Sequence, residues 1–231
     1  MRFSVNESNE KKPLPKLEMP IEEEVDITEY DVVEGLNGIG ITKSECIAKI
    51  LERCNEIIEQ NEGILRGKYQ LSHGEAFLLA SYTHGNGDPE DSPYKNINEK
   101  LWSGKYQDQI HDSKSYLHML LRALRKLSRT KSQTLYRSIR DDTKEYKKGD
   151  PILWEGFSST SPSMKVTKTF IKDKRKNKVS GTLFEIRGIW GYDIAEFSCH
   201  PRERGYQNNL QAYLHSLTRF LFQRKYCWSR C

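Results

Sequence analysis

Midway along this chain the spacing of its apolar residues changes, and few architectures can accommodate both halves. Ile47, Ile50, Leu51, Cys54, Ile57 and Ile58 recur at three and four, the stripe of an amphipathic helix. After Ser132 the pattern shortens to strand-like runs over 135–139, 152–157, 182–186 and 194–197, separated by turns rich in glycine and charge. Helices first and strands second specify an α+β fold rather than alternating βα units, because each half must bury its own apolar face against the other.

Local signals divide the helical half. Thr42 and Glu45 have capping-box spacing for the first striped helix, and Asn61 and Gly63 offer its stop. Ser72 and Glu75 repeat that spacing before Ala76, Phe77, Leu78, Leu79 and Tyr82, so a second helix is expected there. A loop follows over 85–93. Tyr94, Ile97 and Leu101 then mark a short third helix, and Ser113 opens a longer one through Leu117, Leu120, Leu121, Leu124 and Leu127. Residues 1–25 hold Pro13, Pro15, Pro20 and the run Glu22-Glu23-Glu24, with too few apolar groups to offset ordering entropy. A disordered arm is expected there, one domain over 26–204, and an atypical tail over 205–231.

At 231 residues a single globular unit can form a core without disulfide or metal. A formal charge of +5 admits an anionic ligand but falls short of the concentrated basic field of a nucleic-acid binder. The run at 172–178 carries five basic residues and reads as a solvated loop. Cys46, Cys54, Cys199, Cys227 and Cys231 are odd in number and scattered, so neither a disulfide framework nor a zinc site is expected. The first fifteen residues lack the apolar core of about 7–15 residues that a signal peptide needs, and no run approaches the ~20 of a membrane span. The cytosol is the expected compartment.

Three pieces in the second half carry the chemistry. Arg137 sits in the middle of the run Leu135-Tyr136-Arg137-Ser138-Ile139, expected near an exposed strand end where its replacement would cost little stability. Next comes Trp154-Glu155-Gly156-Phe157-Ser158-Ser159-Thr160-Ser161-Pro162, which reads as a strand ending in a polar edge. Downstream stands Phe197-Ser198-Cys199-His200-Pro201-Arg202-Glu203. A hydroxyl cluster after a strand is, alone, an ordinary solvated turn; the order and spacing of all three pieces make a constellation.

That constellation resembles the arginine-specific mono-ADP-ribosyltransferases of the Arg-Ser-Glu class, which include toxins and their animal relatives. The resemblance extends from about Leu71 to Arg204 and is strongest over 135–140, 154–161 and 191–203; Tyr82-Thr83 and 94–101 match more loosely. It implies a helical half packed on a split mixed sheet with an NAD cleft. It also implies transfer of ADP-ribose from NAD, a co-substrate, to an exposed arginine of an acceptor protein through an oxocarbenium-like ribosyl cation, with no metal. Arg137 would contact the diphosphate with its permanently charged fork. Ser159 would present a hydroxyl beside the nicotinamide ribose, with Thr160 and Ser161 holding the strand edge. Trp154, Tyr136 and Phe170 are candidates for an aromatic wall against the cationic ring, each with a core role as its alternative.

The family pattern closes on two glutamates separated by one residue, which an extended segment turns to one face. The first, which orients the acceptor guanidinium, is Glu203. The second, which bonds the ribose and stabilises the cation, falls on Gly205. If Arg204 is encoded AGA, reading one base later yields Glu-Val-Ile-Lys-Ile-Ile, the missing carboxylate followed by a β-rich strand. Three readings follow: an active transferase; an NAD-binding or partner-binding pseudoenzyme lacking the second glutamate; and a basic nucleic-acid module built on Arg122, Arg125, Lys126, Arg129, Lys131 and the run at 172–178. They rank in that order, with no nucleic acid and a monomer expected under the first.

Overall fold

The computed structural model describes residues 26–85, 90–102, 112–131, 134–139, 151–153, 156–173, 178–179, 181–187, 190–199, 213–215, 219–221 and 224–228. The expected arm at 1–25, Trp154, Glu203 and Gly205 lie outside them.

The helical half is organised around one buried helix. α1 (Glu29–Gly38) precedes α2 (Ser44–Ile64), which runs into a single π-helical turn over Leu65–Tyr69. α3 (His73–Thr83) follows, then α4 (Pro93–Trp102) and α5 (Lys114–Lys126). Every residue of α3 from Gly74 to Tyr82 is buried, because α1, α2, α4 and α5 each pack against it. Such a helix is buried all round, so much of its stability comes from the ~1.5–3 kcal/mol that each fully buried Phe77, Leu78 or Leu79 contributes rather than from an amphipathic stripe. The expected box at its start is present: Glu75 N–H donates to Ser72 Oγ at 3.3 Å, and Ser72 N–H to Glu75 Oε2 at 2.9 Å. Gly74 is required there, since a Cβ would stand 1.8 Å from the Ile27 carbonyl oxygen.

α1 was not expected. Its box uses Thr28 and Asp31, with Thr28 N–H on Asp31 Oδ2 at 2.8 Å; an aspartate in the third position escapes a search for Glu or Gln. The Thr28 hydroxyl holds the Asp31 carboxyl below its usual range. Ser113 precedes α5 as anticipated, but its hydroxyl donates to Gly38 O at 3.2 Å instead of capping its own helix.

Every strand pairing among the described residues is antiparallel, where a mixed sheet was expected. β1 (Arg129–Lys131), β4 (Ser158–Thr160), β8 (Trp190–Asp193) and β9 (Tyr213–His215) form one sheet in the order β1-β8-β9-β4. β2 (Thr134–Ile139), β7 (Gly181–Arg187) and β11 (Arg224–Trp228) form another, with β7 central. β3 (Pro151–Leu153) pairs β10 (Arg219–Leu221), and β5 (Lys172–Asp173) pairs β6 (Lys178–Val179). α6 (Met164–Phe170) packs on β2, where Ser138 Oγ donates to Thr167 O at 2.7 Å. The two larger sheets meet where Tyr136 and Ser161 exchange backbone hydrogen bonds of 2.7 and 2.9 Å, a seam that satisfies the α+β, split-sheet expectation.

Two expectations need correction. The run at 152–157 is not one strand: β3 ends at Leu153, and the hydroxyl residues thought to lie beyond a strand edge are themselves β4. The run at 194–197 is a 3-10 turn, Ala195–Phe197, because Asp193 Oδ1 accepts from Ala195 N–H at 3.1 Å and the Phe197 amide turns back to Ile194 O at 3.1 Å. The tail at 205–231, expected to be atypical, supplies β9, β10 and β11, since ladder pairing asks mainly for backbone donors and acceptors.

Candidate functional site

Arg137 lies at the seam. On β2, Leu135, Arg137 and Ile139 share the buried face, and Arg137 is only 7% exposed, which corrects the expectation of an exposed strand-end charge. Its guanidinium donates from Nη1 to the Ser159 carbonyl at 2.9 Å and from Nη2 to the Tyr94 hydroxyl at 3.4 Å. One bond thus comes from the other sheet and one from the helical half. Tyr94 is set by α4 and by its ring, which meets Tyr82 edge-on at 5.6 Å; Tyr82 in turn meets Phe157 edge-on at 5.7 Å, two residues before Ser159. Asn98 Nδ2 secures both tyrosines, donating to Tyr94 O at 2.9 Å and Tyr82 Oη at 3.3 Å. Burial, with Tyr94 alongside, pushes the Tyr82 hydroxyl well above its usual pKa, so it stays neutral beside the guanidinium.

On β4, Ser158 and Thr160 are buried and Ser159 between them is half-buried. Ser161 makes the bridge to Tyr136, and its hydroxyl accepts from Ser163 N–H at 3.1 Å, turning the chain into α6. Arg137 and Ser159 are therefore brought together, with Thr160 and Ser161 beside them. Tyr136 is not: as Arg137's neighbour in a strand it projects from the opposite face, level with Glu185 of β7. Phe170 closes α6, and Trp154 is outside the described residues.

The segment that leads to Glu203 is clamped from three sides. The Thr83 hydroxyl lies 3.1 Å from Phe197 O and accepts from Cys199 N–H at 2.9 Å, while Cys199 Sγ donates to Ala80 O at 3.3 Å. From α2, Asn61 Nδ2 donates to Glu196 O at 3.3 Å and Arg53 Nη2 to Cys199 O at 3.5 Å. From the π-helical turn, Lys68 pairs with Glu196 at 3.3 Å and the Tyr69 ring stacks, tilted, 5.7 Å from Phe197. Burial, followed by its bond to Glu196, pushes the Tyr69 hydroxyl up to about 12. Thr83 and Tyr94 are the contributors that residue reasoning missed; Thr83 at the last turn of a buried helix was the available signal.

A cleft of about 440 Å³, bordered by Lys49, Glu52, Arg53, His84 and Cys199, lies against this clamped segment and shares no residue with the Arg137 seam. The basic face of α5 is partly spent within the fold: Lys126 Nζ reaches the fully buried Glu75 at 2.9 Å, and Arg122 Nε approaches it at 3.6 Å.

Among the described residues, five helices ahead of a split antiparallel sheet, with a buried arginine of one sheet bonded to a serine carbonyl of the other, define an α+β protein of the ADP-ribosyltransferase fold. Solved structures superpose on it accordingly. The type III effector XopAI of Xanthomonas axonopodis pv. citri aligns with a TM-score of 0.55 at 14% identity, over 86% of this chain and 82% of that one. The eucaryotic mono-ADP-ribosyltransferase ART2.2 aligns at 0.53 and 19%, over 87% and 86%; a variant of that enzyme has been solved with NADH. The ADP-ribosyltransferase Vis of Vibrio splendidus aligns at 0.50 and 18%, over 82% and 83%. Among curated proteins none matches. The family model for NAD:arginine ADP-ribosyltransferase matches residues 44–206, and the chain belongs to that family.

Proposed function

We propose that this chain binds NAD and transfers its ADP-ribosyl group to an arginine side chain of an acceptor protein. The observation that carries the reading is Arg137: a permanently charged fork fixed at the seam of two sheets by Ser159 O and Tyr94 Oη, suited to a diphosphate. Membership of the family and the NADH complex of the similar ART2.2 support the same co-substrate. In the transfer, the bond from ribose to nicotinamide breaks, and an acceptor guanidinium nitrogen bonds to the same carbon and gives up a proton. Within that step Arg137 holds the diphosphate, the Ser159 hydroxyl faces the nicotinamide ribose, and Glu203 orients the acceptor guanidinium. The reading places a monomer in the cytosol. No helix among the described residues is long and apolar enough to cross a membrane.

Gly205 favours a second reading. Without the second carboxylate, a site for a ribosyl cation loses its nearest negative charge, and removing one preorganised group of this kind costs about a hundredfold to a thousandfold in rate. The chain as given is then an NAD-binding protein with little transfer activity. Labelled-NAD transfer to agmatine separates the readings when run on three proteins: this chain, Gly205→Glu, and the chain read in the alternative frame beyond Arg204. Background transfer, partial recovery and strong recovery are expected in that order. Robust transfer by the chain as given would refute the role assigned to the absent carboxylate, whereas silence in all three would refute the enzyme reading. The nucleic-acid module is not favoured, because Arg122 and Lys126 turn to Glu75.

A further inference from the structure

The chain changes course at Ser198. Upstream lies the 3-10 turn Ala195–Phe197, whereas Ser198 itself is extended, with φ −69° and ψ 128°, and wholly buried. In extended backbone the carbonyl before a residue and the amide after it point to one side, and here both meet a single side chain. Thr83 Oγ1 lies 3.1 Å from Phe197 O and accepts from Cys199 N–H at 2.9 Å, its proton shared between Phe197 O and Ala80 O, the latter at 2.8 Å. One hydroxyl thus does for Ser198 what a neighbouring strand would do. Thr83 is itself fixed, because it ends α3, whose residues from Gly74 to Tyr82 are all buried. The other clamps fall to one side: Lys68 and Asn61 hold Glu196, ahead of the change of course, and Arg53 Nη2 reaches Cys199 O at a longer 3.5 Å. Glu203 follows Cys199 by four residues, at most about 14 Å of extended chain. A tilt of about 10° at Cys199 carries the end of such a span by about 2 Å, and a misplacement of about 1 Å already costs a reacting group about a hundredfold.

We propose that Thr83 is a positioning residue for the acceptor: its hydroxyl fixes the direction in which the chain leaves Ser198, and so sets where the Glu203 carboxylate meets an acceptor guanidinium. The inference rests on the reading of Glu203 as the carboxylate that orients the acceptor. It separates two functions within one site. Thr83 bonds to the segment over 197–199, whereas Arg137 is held by Ser159 O and Tyr94 Oη, so loss of the Thr83 hydroxyl should reach the acceptor and spare the dinucleotide. Valine has the shape of threonine without the donor or the acceptor; serine keeps both.

The test titrates agmatine, as the acceptor probe, into the full-length chain saturated with NADH and follows binding by NMR. NADH has the diphosphate and both riboses but no cationic leaving group, so agmatine is not consumed. Thr83→Val should weaken agmatine binding about tenfold, as expected when a hydrogen bond to a charged group loses its alignment, and should leave NADH affinity within about twofold of the parent. Thr83→Ser should restore most of the loss, and Glu203→Gln should abolish agmatine binding. In the unsubstituted chain the Cys199 amide should exchange more slowly once agmatine is bound, a measurement that decides the matter should Thr83→Val fold poorly. Unchanged agmatine affinity in a folded Thr83→Val chain, an equal loss of NADH and agmatine, or a Cys199 amide indifferent to agmatine overturns the positioning role while Glu203 stands. Agmatine binding that survives Glu203→Gln, or no agmatine binding by the unsubstituted chain, refutes the reading of Glu203 itself and the inference with it.

Discussion

A guanidinium taken out of water must give its protons to protein acceptors, and at Arg137 the acceptors are a backbone carbonyl of β4 and a tyrosine of α4. Hydrogen bonds to a charged group contribute about 1.5–3 kcal/mol, so Arg137→Ala should lower unfolding free energy by about that amount as well as abolish NAD binding. Arg137→Lys keeps the charge without the fork and should be partly tolerated in both. Denaturant titration and calorimetric NAD titration check the two effects; unchanged NAD affinity in the alanine variant would remove Arg137 from the site. Ser159→Ala, in the frame-restored protein, should slow transfer more than it lowers Tm, since Arg137 is held by the backbone of Ser159 and not by its hydroxyl. At this scale the sequence pointed to residues that the fold brings together, Arg137 and Ser159, better than to how Arg137 is held. The cation in the middle of an apolar run was legible at once, whereas Tyr94 bonds it from 43 residues away, a contact that no local pattern encodes.

Elements were legible where their signals were local. The Ser72 and Glu75 box was visible because both partners lie within one turn, but the ion cluster on Glu75 was not, because Lys126 reaches it from 51 residues downstream. The 152–157 run failed for the opposite reason: an apolar stretch and a hydroxyl stretch looked like one strand and its edge, when each pairs with a different partner. Three substitutions, two in the central helix and one in α2, test the helical half. Gly74→Ala drives a methyl into the Ile27 carbonyl and should destabilise by about 1–3 kcal/mol, whereas Gly63→Ala, with open space around it, should be neutral or stabilising. Glu75→Ala removes a cap and the anion shared by two cations, at a cost of about 2–4 kcal/mol by denaturant melt. The clamp has its own pH signature. The folded chain keeps the Tyr69 proton up to about 12 against an ordinary 10, so its contribution is intact below pH 10 and is lost as pH rises from 10 to 12. Tyr69→Phe should flatten that part of the alkaline stability curve; an identical curve would show that the clamp does not sense the hydroxyl.

For the whole molecule, the divided sheet was expected only from the family resemblance, whereas a change of period at mid-chain was enough to specify an α+β fold. It could not specify how the last 27 residues are used, because strands such as Tyr213–His215 and Arg224–Trp228 carry no alternation clean enough to announce themselves. Their pairing places β9 between β8 and β4 and puts β11 along β7. Truncation after Arg204 removes both, and should therefore convert a cooperative melt into a broad one, followed by circular dichroism. The paired backbone bonds between Tyr136 and Ser161 also make the seam a clock. Each amide of the pair is shielded by the other's carbonyl, so neither can trade its hydrogen for deuterium until the two sheets part. Their exchange rates should thus be equal to each other and slow together when NAD is added, reporting, in a single pair of amide signals, how often the two halves of the molecule come apart.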